Sequence, residues 1–342
     1  MSFLRNAWYM IAWSSELASG PMVRTALELP ILLFRAAEGK VIAMHDRCPH
    51  RFAPLSMGKI TDGSVTCGYH GLQFDTAGQC VRNFFSKAIP SAARVRTFPV
   101  VEQDEIVWLW MSEAPATDSA AIPRIAHHTD SELRWVHGLT TAKADYRLLS
   151  DNLMDLSHTA FLHPAFGGEH YLPKYRSWEE EDGSIVSDYV IESMPNFLGP
   201  ETIPADFVRH EDRIRWIAPS THLLASRTSG AGKSTRIPSA HILTPETATS
   251  THYFWSSACE RDSPISDADH KALLIQAFDH EDKPFVEAVQ QRMGGAELAD
   301  LSPVLLPNDA GSMRMRRKLA AMIEAERNAP AAADAPGAAP VG

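Results

Sequence analysis

The sequence predicts an α+β protein of two domains, the first built from β-hairpins and the second combining strands with helices. Three observations predict it. The chain has 342 residues, long for one hydrophobic core and comfortable for two. Within its first third, residues 30–46, "PILLFRAAEGKVIAMHD", and 95–111, "VRTFPVVEQDEIVWLWM", each read as strand, turn, strand. From Ala114 to Pro123 the composition then shifts to small residues and proline, "APATDSAAIP", as in a linker. These features place a first domain at 1–115 and a second at 116–327. The remaining 328–342, "NAPAAADAPGAAPVG", lacks the apolar surface to offset its ordering entropy and is expected to be a disordered tail.

Composition narrows the function. At 44% apolar and 22% charged the chain is an ordinary globular one, and a net charge of -10 argues against nucleic acid or anionic membrane as partner. A small organic ligand fits better. The N-terminal run carries Arg5 and apolar residues as a secretory leader does, but Trp8, Tyr9, Trp13 and the nearby Glu16 do not suit one. No window reaches the roughly 18–20 apolar residues of a membrane span, so a cytoplasmic location is expected.

Two of the four cysteines stand beside histidines. Cys48-Pro49-His50 is followed, after sixteen intervening residues, by Cys67-Gly68-Tyr69-His70, so each half offers a thiolate and an imidazole. A Cys2His2 set suits zinc. Gly68, Gly71 and Pro49, however, shape two tight loops at hairpin tips. That fits a Rieske [2Fe-2S] centre, with two Cys on one iron, two His on the other and a potential of roughly -150 to +300 mV. Cys80 and Cys259 have no such company and read as inert thiols.

In the second domain, residues 151–164, "DNLMDLSHTAFLHP", set two carboxylates, an amide and two imidazoles among Leu153, Met154, Leu156, Phe161 and Leu162. Buried without partners, each polar group would cost about 1–3 kcal/mol, which a metal ion could offset. Asn152, Asp155 and His158 follow at i, i+3 steps and share one helix face. His163 lies off that face, but Pro164 ends the helix and lets its ring swing back. A third ligand is offered by 270–293, "HKALLIQAFDHEDKPFVEAVQQRM". There Asp282 sits near the centre of a stripe of Leu274, Ile275, Phe278, Phe285, Val286 and Val289, with Glu281 and Asp279 to its sides. Pro284 kinks this helix beside it. Two His and one carboxylate form the facial triad of oxygen-activating non-heme iron; the alternative is a carboxylate paired to a buried Arg or capping another helix.

With these residues in view, "RNAWY", "CPHR", "CGYHGLQF", "DNLMDLSHTAFLHP", "HILTPET" and "HEDK" resemble the oxygenase component of the Rieske monooxygenases that O-demethylate aromatic ethers, the group of vanillate O-demethylase and dicamba monooxygenase. The resemblance runs from Phe3 to about Glu326. It implies that Cys48, His50, Cys67 and His70 bind the cluster and that His158, His163 and Asp282 bind mononuclear Fe(II). Asp155 corresponds to the aspartate that hydrogen-bonds His158 on one side and His70 of a neighbouring copy on the other, in a head-to-tail homotrimer. Asn152 corresponds to the amide beside the iron, and His241 to a histidine that contacts the aromatic substrate.

The implied second domain is a curved antiparallel sheet covered by helices, of the helix-grip or START-like kind. Residues 183–193, 213–226, 239–246 and 249–259 read as strands, the last two as a hairpin around Thr247 and Ala248. Trp216 and Trp255 are candidate ring walls, and Arg213, Arg215 and Arg227 candidate clamps for a carboxylate. The expected reaction is O2-dependent demethylation of a vanillate-like methyl ether to a phenol and formaldehyde. Because no G-x-G-x-x-G follows a strand, NAD(P)H is left to a separate reductase or ferredoxin. The competing expectation is a ring-hydroxylating dioxygenase, or a methyl hydroxylase acting on another aromatic. A bare Rieske electron carrier would stop after the first domain.

Overall fold

Short apolar runs broken by turn residues give a strand-rich first domain. The structure, a computed structural model, describes residues 3–116, 119–163 and 171–329. The described part of the first domain holds β1 (Trp8–Trp13), β2 (Met22–Ala26), β3 (Leu29–Arg35), β4 (Val41–His45), β5 (Lys59–Thr61), β6 (Ser64–Thr66), β7 (Gln73–Phe74), β8 (Cys80–Arg82), β9 (Thr97–Phe98), β10 (Val100–Gln103) and β11 (Ile106–Trp110). They form sheets of order β1-β11-β10, β2-β3-β4-β9 and β5-β6-β7-β8. Both expected hairpins are present, β3 with β4 and β10 with β11. In the second, Asp104 and Glu105 take φ of 55° and 61°, the paired positive values of a tight two-residue turn.

The aromatic run at the N-terminus is the wholly buried β1. Its Trp8, Met10 and Trp13 pack with Trp108 and Trp110 of β11 and with Ala240, Ile242 and Phe254 of the second domain in one apolar cluster. Polar groups tie the same seam. His127 Nε2 and His128 Nε2 lie 2.9 and 2.8 Å from Ser256 Oγ, and His128 Nδ1 donates to the Asp104 carbonyl at 2.7 Å.

The second domain is one antiparallel sheet with helices on one face. Its described strands are β12 (Leu133–Ala142), β13 (Lys174–Glu179), β14 (Ile185–Pro195), β15 (Phe207–Ile217), β16 (Thr221–Gly230), β17 (Lys233–Thr247) and β18 (Ser250–Glu260), in the order β12-β18-β17-β16-β15-β14-β13. Register aligns Gly138, Trp255, His241, His222, Trp216 and Ile185 in a row across it, and paired residues share a face. Gly138 is required here, because a Cβ would collide with the Trp255 indole. The helices are α1 (Tyr146–Met154), α2 (Thr159–Leu162), α3 (Asp267–Ile275), α4 (Lys283–Met293) and α5 (Ala310–Asn328). Asp145 caps α1 by accepting from Arg147 N, and Ser266 caps α3 by accepting from Asp269 N, each satisfying an orphan N–H. Helix α5 buries Met315, Leu319 and Ile323, the i, i+4 spacing of one apolar face.

Three local expectations are corrected. The first Cys-His loop does not close a hairpin, because β4 and β5 belong to different sheets; only the second does, between β6 and β7. Asn152, Asp155 and His158 do not share one helix. Helix α1 stops at Met154, Asp155 takes φ -123° and ψ 89°, and Leu156–His158 form a 3-10 turn. The Asp155 carboxylate accepts from Ser157 N, a local bond that competes with helix continuation. The 270–293 segment is likewise not one kinked α-helix, since Gln276–Asp282 form a π-helix between α3 and α4. The wider turn breaks the expected stripe, leaving Phe285 63% and Val289 45% exposed.

The tail beyond Ala329, together with Pro164, lies outside the described residues.

Candidate metal centres and substrate face

In the first domain the four motif residues gather at two loops. Cys48 and Cys67 are buried, His50 is exposed and His70 half-buried. The two imidazoles meet edge to face, with centroids 4.6 Å apart. Backbone bonds close each loop, from Phe52 N to Cys48 O at 2.9 Å and from Gly71 N to Cys67 O at 3.0 Å. Gly71 turns at φ 78°, and a Cβ there would press on the Phe84 ring at 3.0 Å. Burial pushes the Cys48 thiol up to about 11, with Cys67 adding to the rise and the His50 and Arg51 backbone bonds opposing it. Two neighbouring sulfurs inside and two imidazoles outside match the asymmetry of a Rieske cluster, one iron on thiolates and the other on His. Cys80 and Cys259 are free thiols too; Cys80 packs against the apolar cluster that holds Cys48 and Cys67, and Cys259 lies on β18 of the second domain.

In the second domain His158, His163 and Asp282 offer ligand atoms all within 4.8 Å of one another. Asp282 Oδ1 lies 3.3 Å from His158 Nε2 and 3.4 Å from His163 Nε2. The far ring nitrogens are both occupied. His158 Nδ1 donates to the Asp155 carbonyl at 2.5 Å, and His163 Nδ1 to Glu281 Oε2 at 2.6 Å. Protons held at Nδ1 leave both Nε2 lone pairs facing the carboxylate, and this donor set fits a facial-triad iron. With the imidazoles protonated instead, the burial penalty is outweighed by their hydrogen bonds and charge, which hold the Asp282 carboxyl well below the usual range. Burial lowers His163, but Asp282 and Glu281 outweigh it and raise the imidazole.

Asn152 joins the triad, its Nδ2 donating to Asp282 Oδ1 at 3.1 Å. Asp155 does so differently from expectation. Its backbone carbonyl, not its carboxylate, holds His158; the carboxylate accepts from Ser157 Oγ at 2.6 Å and from Asn308 Nδ2 at 2.8 Å. The broken helix causes this, turning the side chain away from His158. Asp151 is not a metal group either. It pairs with Arg316 of α5 at 2.6 Å, so a guanidinium offsets that charge.

Above the triad stands the inner sheet face. His241 is 3% exposed, so it is not a solvent-facing strand histidine. Its Nδ1 is 2.7 Å from Tyr253 Oη, while Nε2 has no hydrogen-bond partner among the described residues. Phe278 of the π-helix packs edge-on at 5.4 Å from His241 and 5.6 Å from Trp255. Burial pushes His241 down to about 4, against the pull of Asp282. Trp216 and Trp255 occupy the same row, both buried. The three arginines do not. Ile214 and Trp216 point inward, so strand alternation puts Arg213 and Arg215 on the opposite face, where they pair with Asp188 and Asp182. Arg227 aligns with Glu211 on that face and reaches Ser234.

The sequence reading missed Glu281 and its partner Gln276, which meet only because of the π turn. It also missed Asn308, distant in sequence, and His222, wholly buried beside His241. One signal was available for Glu281: a metal-bound His needs an acceptor on its other nitrogen, and an acidic residue adjoins Asp282.

Comparison with known proteins covers both domains. Residues 7–99 match the Rieske [2Fe-2S] domain, and residues 142–325 match the vanillate O-demethylase oxygenase C-terminal domain. The oxygenase component of dicamba O-demethylase from Stenotrophomonas maltophilia is 37% identical, over 93% of this chain and 97% of that one. The oxygenase component of chloroacetanilide N-alkylformylase from Rhizorhabdus wittichii is 36% identical, over 95% and 97%. The crystal structure of dicamba monooxygenase bound to dicamba superposes with a TM-score of 0.85 at 35% identity, covering 96% of this chain and 99% of that one. Matched in both domains and along nearly its whole length, the chain belongs to the Rieske non-heme iron monooxygenases, as an oxygenase component with a catalytic domain of the vanillate O-demethylase kind.

Proposed function

We propose that this oxygenase component O-demethylates an aromatic methyl ether of vanillate-like size, giving a phenol and formaldehyde. The observation that carries the reading is the convergence of His158, His163 and Asp282 beneath a buried face of Trp255, His241 and Phe278. Iron bound by that triad supplies oxygen activation. Overall, one ether, one dioxygen, two electrons and two protons become phenol, formaldehyde and water: the methyl C–H is hydroxylated, and the resulting hemiacetal collapses. The N-alkylformylase relative suggests dealkylation at nitrogen as a neighbouring activity.

The residues of this chain divide the remaining work. Cys48, His50, Cys67 and His70 hold the cluster that receives electrons from an NAD(P)H-dependent reductase or a ferredoxin. Asn152 orders the space beside the iron by holding Asp282. His241 aims its free Nε2 into the substrate space. The buried Tyr253 hydroxyl has His241 Nδ1 as its hydrogen-bond partner, so when it donates there, Nε2 carries the proton and contacts a substrate oxygen. Packed aromatic rings exclude water.

The proposed assembly is a head-to-tail homotrimer in which His70 of the partner subunit meets Asp155 and electrons cross there. The half-buried Asp155 and the exposed His50, Phe52 and Tyr69 support that contact. None of the described helices is long and apolar enough to cross a membrane, and the reading places the enzyme in the cytoplasm with its reductase.

The test is a screen of methoxybenzoates with reductase and NADH. Formaldehyde released in step with NADH oxidation is expected. Dihydrodiol products without formaldehyde would overturn demethylation in favour of ring dioxygenation.

A further inference from the structure

Two adjacent carboxylates address opposite nitrogens of one imidazole. Asp282 Oδ1 faces His163 Nε2 at 3.4 Å, while Glu281 Oε2 accepts from His163 Nδ1 at 2.6 Å. Glu281 is itself held, because Gln276 Nε2 donates to its other oxygen at 3.1 Å. Residues five apart stand about 140° from each other on an α-helix and do not meet. Here they do, because Gln276–Asp282 is a π-helix, whose i to i+5 repeat stacks position 276 over 281.

From this we infer that Glu281, held by Gln276, is a positioning residue for the metal centre. It keeps the His163 proton on Nδ1, so that the Nε2 lone pair and the ring plane are fixed toward the iron before the metal arrives. The inference rests on His158, His163 and Asp282 being the iron ligands. A purely structural role fits poorly. Gln276 is exposed and Glu281 partly so, so the pair covers little apolar surface and its loss should leave the fold intact. Outer partners of metal-bound histidines typically govern affinity by about 10–100-fold.

The test uses the full chain and measures Fe(II) affinity by competition with a chelator, with the visible absorption of the Rieske cluster as the check on folding. Glu281→Leu should bind Fe(II) about 10–100-fold more weakly at unchanged cluster absorption. Glu281→Gln, whose amide oxygen still accepts the Nδ1 proton, should recover most of that loss, and Gln276→Leu should show a smaller one. Should Glu281→Leu misfold, Glu281→Ala decides on the same terms. Wild-type affinity in the Leu or Ala variant, alongside an Asp282→Ala protein that binds no mononuclear iron, would overturn the positioning role and leave the triad standing. Wild-type affinity in Asp282→Ala as well would instead remove the triad reading beneath it.

Discussion

Three carboxylates of the segments that carry the triad, Asp282 buried and Asp151 and Asp155 half-buried, are stabilised in three different ways. Asp151 meets a guanidinium, Asp155 meets hydroxyl and amide donors, and Asp282 meets two imidazoles. Only the last is arranged for a metal. The Asp155 carbonyl, not its carboxylate, holds His158, so Asp155→Asn is predicted to keep iron and cluster, while turnover falls to a small fraction of normal through loss of the proposed contact between the carboxylate and His70 of the partner subunit. Near-normal turnover in the metallated variant would refute a relay through that carboxylate. At His241, the variant His241→Phe should keep both metals but raise KM about tenfold, the value of one buried hydrogen bond to substrate. An unchanged KM with a lowered kcat would move His241 from binding to chemistry. The triad was legible in the sequence because His158, His163 and Asp282 are unusual among apolar neighbours. Glu281 was not, since on an α-helical wheel it points away from the stripe.

The π-helix is the element on which the catalytic centre turns. It brings Asp282 to the histidines and Glu281 to the back of His163, and Pro284 stands in the first turn of α4, which continues it directly. In the sheet, Gly138→Ala should destabilise the second domain by about 1–3 kcal/mol through overpacking against Trp255, read from the urea midpoint, whereas an unchanged midpoint would mean the indole moves freely. The hairpin of β17 and β18 was legible from its apolar runs and turn residues. Strand β12 was not, because Gly138 and His137 interrupt its pattern and its pairing with β18 joins residues more than a hundred positions apart.

At the scale of the whole molecule the large sheet serves two interiors. Its outer face meets the first domain at the tryptophan seam, and its inner face covers the iron site. Two buried imidazoles, His127 at the seam and His222 on the inner face, are both pushed down to about 3 by burial, with neighbouring histidines adding to it. Above pH 6.5 neither the folded nor the unfolded chain protonates them, so they leave stability unchanged. Below it the unfolded chain takes up protons that the folded chain refuses, and stability falls by about 1.4 kcal/mol per pH unit for each. His127→Asn should therefore flatten the decline of the urea midpoint between pH 6.5 and 4.5; an identical slope would contradict its neutral burial. The two-domain order and both metal motifs could be read from residue spacing, whereas the seam depends on pairings that only the folded chain brings together. The fold carries two separate iron centres on separate ligands. Iron and acid-labile sulfide per chain in wild type and Asp282→Ala test it most directly. Wild type should hold about three irons and two sulfides per chain, and the variant about two of each. Three irons retained in Asp282→Ala, or iron lost together with sulfide, would contradict it.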